Sequence, residues 1–281
     1  MKIRDRIFTV LLIVVLVVGL SLLLYPTFSD WWNSRVQTKL ITNYNTIVSS
    51  LKEEDHSELW DSAKAHNEDL RSRSNPYLLT DDQQGRYPGL LNPAGDGIMG
   101  YVEVPDIDIT LPIYHGTDEL VLQVAIGHLE WTSLPAGGES THCVISGHRG
   151  LPSARLFTDL DKIVVGDRFM IHVLNEVLTY EVDQILIVEP DETEELLIQE
   201  GKDLCTLVTC TPYGVNSHRL LVRGHRVENQ AQVQDVRITA DAFVVEKLIV
   251  APFVLLPILL LMMVWLFISG RKRKKKQSST E

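Results

Sequence analysis

Cysteine is scarce in this chain: Cys143, Cys205 and Cys210 are the only three in 281 residues. That is too few for the multi-bridge framework that holds small secreted domains together. Neither a Cys-x-x-Cys nor a His-x-x-x-His spacing occurs among these cysteines and the nine histidines, so the tight ligand spacing of a structural zinc site is missing. Internal repeats are absent. Basic charge is missing where a nucleic-acid partner would need it. The net charge is −11, but nine of the basic and two of the acidic residues lie in 1–6 and 271–281; the remainder has 17 basic against 35 acidic residues, or −18. A phosphate backbone would be repelled by that middle, so nucleic acid is excluded as a partner.

What is present begins with two long apolar runs. Ile7 to Tyr25 has no charge in 19 residues and Leu248 to Ile268 none in 21. Both approach the ~20 residues of a bilayer-spanning helix. Lys2, Arg4 and Arg6 precede the first run, and Arg271 to Lys276 follow the second. The positive-inside rule then places both termini in the cytoplasm and residues 26–247 outside the plasma membrane. A cleaved signal is the other reading of the first run. Its length and the lack of a small-x-small site in Tyr25-Pro-Thr-Phe-Ser-Asp30 favour an uncleaved anchor. Pro252 and Pro257 predict a kink in the second run.

Between the runs, Trp31 and Trp32 stand where an interfacial aromatic belt belongs. Val36, Leu40, Tyr44, Ile47, Val48 and Leu51, then Leu59, Trp60, Ala63 and Leu70, repeat at helical spacing. They predict two helices, or one interrupted at Glu53-Glu54-Asp55, over residues 30–72. Residues 73–97 are punctuated by glycine and proline and read as a long loop, the kind that serves as lid, binding loop or link. Short β-branched runs then follow one another: 99–104, 107–113, 142–146, 168–174, 178–188, 204–210 and 220–227, with a helical turn or two over 120–126. The pattern predicts an all-β barrel or sandwich of about eight strands. Arg155 to Asp159 predicts a short helix, and Asn175-Glu176 a hairpin turn. The acidic loop Glu189 to Glu195 is either solvated surface or a calcium site; it lacks glycine-organised ligand spacing. The resulting order is a cytoplasmic N-terminus (1–6), a span (7–25), juxtamembrane helices with a loop (26–97), the barrel (98–228), a linker (229–247), a second span (248–268) and a basic cytoplasmic tail (269–281).

Two stretches carry chemistry. In Thr206-Leu-Val-Thr-Cys210 an apolar strand ends on a thiol, and Pro212 and Gly214 force a loop. Arg219 opens the next strand. In Cys143-Val-Ile-Ser-Gly-His148-Arg-Gly150 a strand ends, after a glycine break, on an imidazole. A half-exposed thiol with positive charge nearby is a nucleophile. Imidazole is the usual acid and base near neutral pH, and a guanidinium stabilises a thiolate or an oxyanion. Cys205 and Cys210 are five apart on one strand and face opposite sides. Cys143 and Cys205 read either as small buried hydrophobes or, if their strands run parallel, as neighbours able to form a disulfide. His142 precedes its strand and falls at the opposite rim from His148. A metal site built from both histidines and the cysteines has only weak support.

These runs, with Leu111-Pro-Ile-Tyr-His-Gly116 and Gly127-His-Leu-Glu130, resemble the class C sortases, the pilin-polymerising group, over about residues 30–228. The resemblance implies a closed eight-stranded sortase-type β-barrel with short helices, N-terminal juxtamembrane helices and a transmembrane helix at each end. It implies a cysteine transpeptidase without metal or organic cofactor. Cys210 is its nucleophile, His148 its acid and base, and Arg219 the partner of thiolate and oxyanion. The substrates it implies are pilin subunits with an LPxTG-like sorting signal. Cleavage falls after the threonine, and the acyl group passes to a pilin lysine. A cell-wall precursor amine is the acceptor in the related anchoring sortases. In class C an Asp-Pro-aromatic tripeptide lies over the cysteine. Its match here is Asn75-Pro76-Tyr77, where asparagine cannot form the acid's salt bridge, and an ordinary proline turn is the other reading. An endopeptidase using water and a membrane-tethered binding module without chemistry remain alternatives.

Overall fold

The computed structural model of the chain describes residues 3–229. The expected linker beyond residue 229, the second span and the basic tail lie outside the described residues. Helix α1 runs from Ile3 to Ser50 and contains Pro26. Its apolar part, with mean hydropathy 2.5, is the one helix among the described residues long and apolar enough to cross a membrane.

Among the described residues, those from Ser29 to Asn229 belong to one compact unit. A second helix, α2 (Glu53–Arg71), follows the end of α1. The break thus falls at Leu51-Lys52, immediately before the acidic trio. Glu53, Glu54 and Asp55 instead form the first turn of α2, where carboxylates oppose the positive end of the helix dipole. Both helices dock through buried polar contacts as well as apolar ones. The Tyr44 hydroxyl donates to Met99 O at 3.0 Å and accepts from Leu174 N at 2.8 Å. The Asn67 amide bonds Leu134 reciprocally, through Leu134 O at 3.1 Å and Leu134 N at 2.7 Å. Each contact satisfies backbone groups that would otherwise be buried alone.

Eight strands close a barrel: β1 (Ile98–Val104), β2 (Ile109–His115), β3 (Ile126–His128), β4 (Thr141–Ser146), β5 (Arg168–Val173), β6 (Glu176–Val188), β7 (Asp203–Thr211) and β8 (His218–Val227). Their order around the barrel is β1-β2-β3-β4-β7-β8-β6-β5. The β2–β3 and β4–β7 pairs are parallel. Inward side chains such as Ile113, Ile145, Phe169, Tyr180, Leu207 and Val222 form the core with Tyr44 and Ala63 from the helices. Alternate residues of the same strands form a smaller outer cluster of Val144, Val208 and Leu221, covered by Leu196 and flanked by Leu129, Trp131, Leu186 and Val188. This two-face alternation is what a barrel strand with a covered outer surface requires.

Four local expectations need correction. Residues 73–97 are not all loop: α3 (Asp81–Arg86) and a 3₁₀ turn at Tyr87–Gly89 lie within them. Thr80 and Gln83 form a reciprocal capping box that nucleates α3. The helical turn or two expected over 120–126 is one turn, α4 (Glu119–Leu122), and residue 126 instead opens the short strand β3. Arg155 to Asp159 forms no helix; turns lead into a 3₁₀ turn at Leu160–Lys162. The hairpin turn is Leu174-Asn175, since Val173 pairs with Glu176 and Leu174 has φ 49°.

Candidate active site

The parallel β4–β7 pair and the antiparallel β7–β8 pair set the site. Ser146 is abreast of Val208, and Gly147 N donates to Val208 O at 3.0 Å. Thr209 Oγ1 donates to Gly147 O at 2.7 Å. His148 follows Gly147 directly, two residues beyond the end of β4, as Cys210 lies two residues beyond Val208 on β7. On the other side Cys210 is directly paired with Arg219. Direct partners share a face, with Cβ atoms about 5 Å apart. Cys210 alternates with inward Thr209 and Leu207, so it lies on the outer face, at the rim end of the strand, and is half-buried. Cys210 and Arg219 are thus paired at one rim, and His148 leaves the end of the parallel strand β4 at the same rim.

Local packing fixes the histidine end. A Cβ at Gly147 would come within 2.7 Å of Ile126 Cγ2 and Phe157 Cδ2, so the turn is packed too tightly for any other residue. Phe157 N donates to His148 O at 3.1 Å. Gly150, at φ +76°, packs against the Tyr213 ring. Arg149 is the strut between the two loops. It donates to Thr211 Oγ1 at 3.3 Å, is ion-paired with Asp161, and places its guanidinium 5.9 Å from the centre of Tyr213. Sequence reasoning missed Arg149 as a structural link. Its one signal was its place beside His148 between two glycines.

Two carboxylates that were also missed reach the rim. Glu119 Oε2 is 4.0 Å from His148 Nε2, and Glu189 Oε1 is 3.2 Å from His218 Nε2. The Arg219 guanidinium donates to Asn216 O at 3.4 Å and His218 O at 3.1 Å through Nη1. A guanidinium has five donors, so the rest of the fork can serve an anion at the sulfur or a carbonyl oxygen. The acidic loop is partly paired with cations: Glu195 is 3.8 Å from Arg223, in addition to the Glu189–His218 contact.

His142 sits at the other end of β4, six residues and about 20 Å of strand from His148. Both its nitrogens are occupied, Nδ1 on Leu197 O at 2.9 Å and Nε2 on Thr206 Oγ1 at 2.7 Å. Burial lowers its pKa to about 4. The fold thus separates the two histidines that a shared metal site would need. Among the described residues no group of three His, Cys, Asp or Glu side chains is placed to hold a metal ion.

The Asn75-Pro76-Tyr77 segment forms a turn in which Tyr77 N donates to Asn75 Oδ1 at 3.0 Å. The Tyr77 ring stands edge-on to Trp131 at 5.2 Å between centres. Arg73 holds the same strap, donating to Trp131 O at 2.8 Å and Leu78 O at 3.0 Å. Pro76, Trp131 and Leu196 line a cleft of about 410 Å³. Trp131 borders the outer cluster of Val144 and Leu196, so the strap contact lies level with residues about four positions before His148, some 13 Å down the strand.

Residues 102–227 match the family model described as a sortase domain. The crystal structure of sortase C1 from Streptococcus agalactiae is 51% identical and has a TM-score of 0.67, covering 68% of this chain and 100% of that one. The Streptococcus pneumoniae sortase C structure is 47% identical with a TM-score of 0.62, covering 69% and 100%. Sortase D of Bacillus subtilis is 29% identical over 147 residues, 51% of this chain and 71% of its own length.

Proposed function

The chain belongs to the sortase family, grouped with the class C sortases, and is therefore a cysteine transpeptidase; from that premise we propose that it cuts an LPxTG-like sorting signal after threonine and joins the acyl group to a pilin lysine. One observation supports the proposed roles: Cys210 is the direct cross-strand partner of Arg219, and His148 follows two residues after the end of β4, the parallel neighbour of the strand that carries Cys210.

The Cys210 thiolate attacks the threonine carbonyl carbon, and the carbonyl π electrons move to oxygen. Arg219 faces that developing oxyanion and stabilises it more than the neutral ground state. Collapse of the intermediate breaks the C–N bond while His148 gives its proton to the departing glycine amine. A thioester on Cys210 remains. The lysine amine attacks it, His148 accepts the amine's proton, and the thiolate leaves. The outer apolar cluster leading away from the rim suits the leucine and proline of such a signal. Asn75-Pro76-Tyr77, latched on Trp131, lies across the far end of that surface as a cover. Water resolves the same thioester to a free acid, so exclusion of water favours transfer.

The N-terminal apolar helix indicates membrane anchoring, as in sortases. Two spans with both termini in the cytoplasm would hold enzyme and membrane-bound pilin on one surface and raise their effective concentration. The Streptococcus pneumoniae relative was solved with pilin substrate specificity as a stated subject, which favours pilin over a cell-wall precursor amine as acceptor. The test mixes the chain, with or without Cys210→Ala, with a sorting-signal peptide and either a pilin domain or a glycine peptide. A pilin-lysine isopeptide formed only by the wild-type chain supports the proposal. Transfer to glycine alone would reassign the enzyme to cell-wall anchoring, and free acid alone to an endopeptidase.

A further inference from the structure

Cys143 and Cys205 take no part in the chemistry above, yet the fold brings them together. They are direct partners in the parallel β4–β7 register. Adjacent strands lie about 4.8 Å apart, inside the 4.4–6.8 Å Cα window of a disulfide. Both side chains point into the core, at 2% and 0% exposure, and both are thiols in this structure. Tyr180 and Phe169 stack at 5.5 Å in that same core. The two thiols differ in acidity. Burial alone would raise both, as it does Cys205; at Cys143 the neighbouring Cys205 and His128 outweigh burial and lower it.

We propose that Cys143 and Cys205 are oxidised to a disulfide that staples β4 to β7 behind the active rim. The staple joins the two strands five residues before His148 and Cys210, so it fixes the register of the two strands that lead to them. The oxidant required is the disulfide form of a thiol–disulfide oxidoreductase outside the membrane. The thiolate of one cysteine attacks one oxidant sulfur, and the other oxidant sulfur leaves as thiolate. The second cysteine, deprotonated, then attacks the sulfur of the first and expels the oxidant as its dithiol. Two electrons and two protons pass to the oxidant. Because both thiols are buried once folded, the exchange belongs to the stage before the barrel closes. Extracellular placement favours the oxidised form; the role of Cys210 in transpeptidation is independent of it.

The experiment counts thiols in the full chain. Membranes are acid-quenched without reductant, denatured and treated with N-ethylmaleimide, and the mass and linked peptides are read. In a parallel arm the chain is refolded in detergent with glutathione disulfide. The expected result in both arms is one maleimide, on Cys210, and a Cys143–Cys205 linked peptide that reduction releases. Three maleimides in the refolded chain would overturn the pairing. A linked peptide on refolding but three maleimides from membranes would overturn its presence in the native protein, whatever the transpeptidase assay shows. A disulfide to Cys210 in either arm would also overturn it.

Discussion

The two ends of the β4–β7 pair hold the same residue types in opposite conditions. At the base, His142 has both nitrogens hydrogen-bonded, and Cys143 and Cys205 are sealed in the core. At the rim, His148 has an exposed carboxylate at 4.0 Å as its ion-pair partner, and Cys210 is half-buried beside a guanidinium. Residue type is therefore a poor guide to role in this barrel. A side chain acts where the strand ends and its polar atoms are left unsatisfied by the fold. Where the ladder continues, the same side chain is structural.

Exchange of cysteines should break this comparison most sharply. Cys210→Ala is expected to lower transfer by at least about 10³-fold, whereas Cys205→Ala should stay within a few-fold when kcat/KM is measured on the folded fraction. Equal losses would erase the distinction between the ends. The histidines sharpen it next. His148→Gln should cost about 10²–10⁴-fold in rate with little change in thermal midpoint. His142 should show the reverse. Its folded pKa of about 4 lies below the ordinary 6.5, so the unfolded chain binds more protons between those values. Its stabilising contribution, on the order of 3 kcal/mol, is present above pH 6.5 and is lost as pH falls towards 4. His66, also buried and lowered to about 4 by desolvation, adds in the same direction. Thermal midpoints at pH 7, 5.5 and 4.5 should fall steeply, and a flat profile would contradict the burial argument.

Arg219→Lys keeps the charge but loses the planar fork, and should lower kcat about 10²-fold with KM little changed; a purely structural arginine would give a stability loss instead. The strap predicts the smallest effect. Pro76→Ala with Tyr77→Ala removes the contact on Trp131, and turnover of a short peptide should rise about two- to five-fold. An unchanged rate would remove the strap from any covering role.

Much of this was legible in the sequence, for reasons that differ by element. Strands of six or more residues announced themselves through their β-branched and apolar content, but β3 has three residues and exists because β2 and β4 flank it. Helix α3 was hidden by the glycine and proline around it, although Thr80 and Gln83 carry its capping signal. Residues 155–159 have helical composition but pack as turns, with Phe157 driven into the core. The candidate rim was readable because Cys210 and His148 each stand where an apolar strand meets a glycine or proline break, and Arg219 opens the strand that pairs with the first of them. The roles of Trp131, Arg149 and Glu119 were not readable. Each depends on a loop meeting a distant segment, and no local pattern encodes that meeting.

The most direct measurement is the site of the acyl group during turnover. The full chain is mixed with a sorting-signal peptide without an acceptor amine, quenched in acid, and digested for peptide mass. The account predicts a thioester carrying the peptide through its threonine on Cys210, absent from the Cys210→Ala variant and slow to form in Arg219→Lys. Acylation at Cys143 or Cys205, or cleavage with no covalent intermediate, would contradict it.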